Sequence, residues 1–113
     1  MVSQHHISPL TIVNVANKEG ETALHFAVEY GHTELIQLLA DWPLTNVNQS
    51  DRRGITPLHF AAKHSQLSSA QILLRHGASV NEVDSSESLP LHIAAFSGAA
   101  ELGALLLAHK SNP

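Results

Sequence analysis

Six residues, Thr56-Pro57-Leu58-His59-Phe60-Ala61, recur with small changes on both sides of themselves. They appear upstream as Thr22-Ala23-Leu24-His25-Phe26-Ala27 and downstream as Leu89-Pro90-Leu91-His92-Ile93-Ala94. The three histidines stand 34 and then 33 residues apart. Self-similarity at such a period constrains a chain more than local propensity does. Every copy must form the same supersecondary unit, and none is large enough to bury its own apolar side, so neighbouring copies must supply one another's core.

Other positions keep the same phase. Val13-Asn14, Val47-Asn48 and Val80-Asn81 repeat at 34 and 33 residues. Gly20 and Gly54 stand five residues before their histidines, with Glu87 in the third copy; Gly31 and Gly98 stand six residues after, with Ser65 between them. Apolar runs follow on schedule at Leu35-Ile36-Gln37-Leu38-Leu39, Ile72-Leu73-Leu74 and Leu102 to Leu107. This pattern resembles the ankyrin repeat over roughly residues 13–113. The resemblance implies an all-α solenoid of stacked helix-turn-helix pairs joined by hairpin-like loops. It divides the chain into a remnant of a preceding repeat (1–13) and three repeats (14–47, 48–80 and 81–113). Pro9-Leu10-Thr11 precedes Val13-Asn14 much as Pro43-Leu44-Thr45 precedes Val47-Asn48, and the sequence stops at Ser111-Asn112-Pro113, where a next loop would begin; both ends are therefore expected to be cuts in a longer array, with a short natural or designed protein as the alternative.

Local signals place the helices. Thr56 is a good N-cap, because its hydroxyl can accept from a free N–H of the first turn, and Pro57 at the first helical position forfeits no bond. That helix is expected to run to about His64, and its partner to end near His76, with Gly77 suited to the left-handed residue beyond. Repeat 1 is expected to have helices near 22–30 and 33–41, Pro43 barring a longer second one. Repeat 3 is expected to have them near 90–97 and 99–109. There Leu89 replaces the capping threonine, so this helix should start less firmly or be capped one residue early by Ser88. Asp41-Trp42-Pro43-Leu44 departs from the family's Gly-Ala turn and leaves the path of that loop open.

Composition narrows the function classes. Leu and Ala together number 30 and aromatic residues are 4%, which suits close-packed helices rather than a β-sandwich. There is no cysteine, hence no disulfide framework or cysteine-ligated metal. A net charge of −4 with only six basic residues argues against nucleic acid, which calls for a basic face. The first residues lack a signal peptide's apolar segment, and the run Leu102–Ala108 is far shorter than the roughly 20 residues a membrane span takes. A soluble protein of the cytoplasm or nucleus, without membrane association, is the expectation.

Nine histidines invite a metal or general-base reading. His25, His59 and His92 belong to the repeated hexapeptide, and the resemblance implies that His25 and His59 bond Thr22, Thr56 and nearby backbone to tie repeats together. His32 fits the family's Gly-His turn. His5-His6 lies at the N-terminal end, and His64, His76 and His109 fall on different helices without zinc-ligand spacing. No nucleophile elbow or phosphate loop occurs, so neither an enzyme nor a cofactor is expected. Asn48-Gln49-Ser50 matches a glycosylation sequon but reads as the ordinary loop asparagine.

The remaining reading is recognition of a protein or peptide. The resemblance implies contacts from the hairpin tips and from positions four and five residues after the motif histidine. These are Lys18, Glu19, Glu21, Glu29 and Tyr30 in repeat 1; Arg52, Arg53, Ile55, Lys63 and His64 in repeat 2; Ser85, Ser86, Ser88, Phe96 and Ser97 in repeat 3. Arg52, Arg53 and Lys63 are half of the chain's basic residues and favour a partner with acidic groups. The competing reading of that patch is a solvated face whose cations pair with Glu19 or Glu29. The alternative function is self-association, for instance as a homodimer, through the C-terminal repeat. Its last helix carries a lone charge, Glu101, between Ala99 and Ala108, and Leu102, Leu105 and Leu106 are the candidate contacts.

Overall fold

The computed structural model describes residues 12–110. The His5-His6 doublet, Pro9-Leu10-Thr11 and the last three residues lie outside them. After a 3₁₀ turn at Ile12–Asn14 come six helices: α1 Ala23–Glu29, α2 Thr33–Asp41, α3 Pro57–Lys63, α4 Leu67–Arg75, α5 Pro90–Ser97 and α6 Ala100–Lys110. There is no strand among the described residues. Helices pair within repeats, α1 with α2, α3 with α4 and α5 with α6. Across repeats α1, α3 and α5 form one row, α2, α4 and α6 a second.

Each first helix starts as its hexapeptide dictates. Thr22 and Thr56 have extended backbone and accept from the N–H of His25 and His59, at 3.4 and 3.3 Å. The two helices of each repeat are joined by a turn whose central residue needs positive φ: Gly31 (69°), Ser65 (54°) and Gly98 (75°). Leu24, Val28, Ile36, Leu58, Leu73, Leu102 and Leu106 are the larger fully buried apolar side chains of one continuous core, with Ala61, Ala62, Ala70 and Ala94 between them. No buried side-chain polar atom among the described residues lacks a partner.

Two expectations are corrected. Ser88 does not cap α5. Its N–H donates to Asp84 Oδ1 and its carbonyl accepts from His59, so it belongs to the hairpin before the helix. Leu89 occupies the cap position and α5 still starts at Pro90, held by the Leu89 N–H donating to His92 Nδ1 at 2.8 Å. Only the side-chain half of the cap is missing. Leu89→Thr is therefore expected to stabilise the chain by about 1 kcal/mol, measured by urea unfolding; no gain would mean that the His92 bond already suffices. The second correction concerns α6. Leu102 and Leu106 point into the core and cannot meet another molecule, and Leu105 is half-buried; the exposed positions are Ala100, Glu101, Ala104, Leu107, Ala108 and His109.

Candidate functional site: a repeat-built recognition surface

Three sets of side-chain bonds hold the repeats in register. The first is the histidine row. The Thr22 N–H donates to His25 Nδ1 at 3.0 Å and the Thr56 N–H to His59 Nδ1 at 3.1 Å. An Nδ1 that accepts a backbone N–H carries no proton, so the ring proton sits on Nε2. From there it is donated across the junction, His25 to the Ile55 carbonyl at 2.8 Å and His59 to the Ser88 carbonyl at 2.9 Å. Both rings are fully buried, and Phe60 packs edge-on against His25 at 5.5 Å. His92, by contrast, is exposed.

The second set is the asparagine row. Asn14 donates to the Leu44 carbonyl (2.8 Å) and accepts from the Asn46 N–H (2.8 Å). Asn48 does the same with the Gly77 carbonyl (3.2 Å) and the Ser79 N–H (2.7 Å). Its amide is thus committed to the next loop, which accounts for the asparagine of the apparent sequon.

The third set builds the hairpin tips. Asn17, Asp51 and Asp84 each accept two backbone N–H groups, two and four residues on, at 2.8–2.9 Å. Consecutive tips are then joined, the Arg52 N–H to the Glu19 carbonyl (2.9 Å) and the Ser85 N–H to the Arg53 carbonyl (2.8 Å).

A family model for ankyrin repeats in three copies matches residues 3–84 and again residues 43–113. The chain belongs to the ankyrin-repeat family. No curated protein matches the sequence. Ankyrin repeats are, as a family, protein–protein interaction modules rather than catalysts. Among the described residues no three His, Asp or Glu side chains converge as a metal site, and no helix is long and apolar enough to cross a membrane.

On this ankyrin stack the sequence-derived candidates fall into two exposed rows and a half-buried remainder. Lys18, Glu19, Arg52, Arg53, Ser85 and Ser86 are exposed on the linked tips. Tyr30, Lys63, His64, Phe96 and Ser97 are exposed at the C-terminal ends of α1, α3 and α5, where Ser97 Oγ donates to the Lys63 carbonyl at 3.4 Å. Tyr30 stacks on His32 with centroids 6.2 Å apart, and Phe96 is 94% exposed. The remainder serves the junctions. Ile55 packs against the core and lends its carbonyl to His25, and Ser88 does so for His59. Glu21 binds Asn17 at 3.1 Å, and the Glu29 carbonyl accepts from Gln66 at 3.3 Å.

The basic patch does not pair with the acids of repeat 1. Arg53 lies 3.8 Å from Asp51 of its own tip, and among the described residues Arg52 and Lys63 make no ion pair.

Proposed function

We propose that the chain is a non-catalytic recognition module that binds a protein or peptide on its concave side, along the hairpin tips and the ends of the first helices. An intracellular setting, cytoplasmic or nuclear, belongs to the same reading. The observation that supports it most is Phe96, a large apolar ring with 94% of its surface in water, next in the chain to Ser97, which bonds the carbonyl of exposed Lys63. Interfaces gather their binding energy in a few aromatic and arginine anchors, and here Tyr30, Phe96, Arg52 and Arg53 are already exposed on a stiff scaffold. Side chains held by bonded tips lose little freedom on binding, so more of the contact energy appears as affinity. Unpaired Arg52 and Lys63 favour a partner with acidic groups.

Selection of a random displayed peptide library on the chain tests this. Enriched peptides should carry Asp or Glu together with an apolar residue. Binding should fall about tenfold or more in Arg52→Glu/Arg53→Glu and in Phe96→Ala, with unchanged helix content by circular dichroism. Peptides that bind the charge-reversed chain as well as the original would sink the proposal.

A second reading, self-association at the C-terminal end, is favoured by a hollow of about 410 Å³ on that end, lined by Leu91, Ala95, Ala99, Gly103, Ala104 and Leu107. Sedimentation of the chain and of Leu107→Glu separates the readings. Dimers converted to monomers would support assembly, and a monomer in both cases would remove it.

A further inference from the structure

His76, at the C-terminal end of α4, places both ring nitrogens against acceptors. Nδ1 lies 2.9 Å from the Ile72 carbonyl, which also accepts the His76 N–H at 3.2 Å, and Nε2 lies 2.5 Å from Oδ1 of Asp41, the last residue of α2 in the preceding repeat. The other carboxylate oxygen of Asp41 accepts from the Gln37 amide at 3.0 Å, which orients the group toward α4. A neutral imidazole has one N–H and can serve only one of two acceptors, whereas the imidazolium serves both. This is the reverse of His25 and His59, whose Nδ1 atoms face donors.

We propose that His76 and Asp41 form a pH-operated clasp across the junction of repeats 1 and 2, closed while the imidazole carries two protons and released when it loses one. The clasp ties together the C-terminal ends of α2 and α4, on the side of the stack away from the histidine row, and Asp41 leads directly into the exposed Trp42-Pro43-Leu44 turn. Release frees that edge while the buried His25 bond still holds α1 to the next repeat.

The charges around the ring are few. Asp41 faces it from α2, and Arg75 adjoins it on its own helix and opposes protonation. The other elements beside α4 are α3, with His59 and Lys63, and α6, with Glu101 and His109, and none of these groups makes an ion pair with the ring among the described residues. The bond to the Ile72 carbonyl and then the Asp41 carboxylate hold the imidazole above its ordinary range, and the Gln37 and His76 bonds hold Asp41 below the usual carboxylate range. A histidine raised on folding lends stability that is complete below its unfolded value, about 6.5, and lost as pH rises through the folded one; a lowered aspartate lends stability that is present above its unfolded value, about 3.9, and lost as pH falls through the folded one. The clasp is therefore tightest between about pH 4 and 6.5 and opens on the alkaline side of that window.

Ring-nitrogen NMR of the full chain and of Asp41→Asn, followed through pH, tests the clasp, together with thermal unfolding of both at pH 5.5 and 8.5. The His76 midpoint should lie above about 6.5 and fall in Asp41→Asn. The melting-temperature loss in Asp41→Asn should be larger at the acid pH. A midpoint at or below the ordinary value, a midpoint unmoved by Asp41→Asn, or a loss that does not change with pH would each overturn the proposal.

Discussion

His59→Ala is expected to destabilise the chain by about 3–5 kcal/mol, and His92→Ala by less than about 1 kcal/mol, although the two histidines occupy the same place in their repeats. The difference follows from their surroundings. His59 is fully buried, receives the Thr56 N–H at 3.1 Å and donates to the Ser88 carbonyl at 2.9 Å. Truncation leaves a void the size of an imidazole at a fully buried position, and strands the buried Thr56 N–H and the half-buried Ser88 carbonyl on opposite sides of a junction. His92 is exposed, and its bond to the Leu89 N–H can be replaced by water.

Because repeats are coupled mainly to their neighbours, the His59 change should also separate repeat 3 from the others. Urea unfolding should then become broader or biphasic, with a smaller slope. A cost for His59→Ala no greater than that for His92→Ala would show that the histidine row does not hold the stack.

The hexapeptide carried much of this in advance. Thr56, Pro57 and His59 mark the start of a helix by their chemistry, and all six helices lie within a residue or two of the positions their spacing implied. What escaped was chemistry that spans repeats without repeating itself. Asp41 and His76 lie 35 residues apart, one off the period, and Asp41 falls in the stretch that departs from the pattern, so no alignment of copies brings them together. Asn17, Asp51 and Asp84 were legible in principle at the proper spacing, but an Asn in one copy and Asp in the others hides a shared role as acceptor. The burial of Leu102 and Leu106 was illegible for another reason. Where nearly every side chain of a helix is apolar, periodicity cannot say which face turns inward; the neighbouring helices decide. Among the candidate contacts, sequence could place Ile55 and Ser88 on a tip but not show that their carbonyls are engaged by histidines of the repeat before.

Gly54→Ala is expected to cost about 2–4 kcal/mol, and Gly77→Ala about 1 kcal/mol, despite similar backbone conformations. Both residues have positive φ, 78° and 92°. A Cβ at Gly77 would meet nothing within 4 Å, so its cost is conformational alone. A Cβ at Gly54 would stand 2.9 Å from Asp84 Cα and 3.1 Å from Ser85 N, backbone atoms that cannot swing aside as a side-chain end would. The next tip must retreat, stretching the 2.8 Å bond from the Ser85 N–H to the Arg53 carbonyl. Gly20 stands in the same relation to the tip after it, with Arg52 N at 2.9 Å. Glu87 marks the boundary of the rule: it holds φ 61° with an exposed side chain, so the conformation alone does not demand glycine. What demands it at 20 and 54 is the closeness of the following tip. Thermal unfolding of the two alanine variants measures the difference directly. Equal losses would mean that the tips can spread at little cost, and the tip row would then be a compliant edge rather than the stiff support that the proposed recognition surface requires.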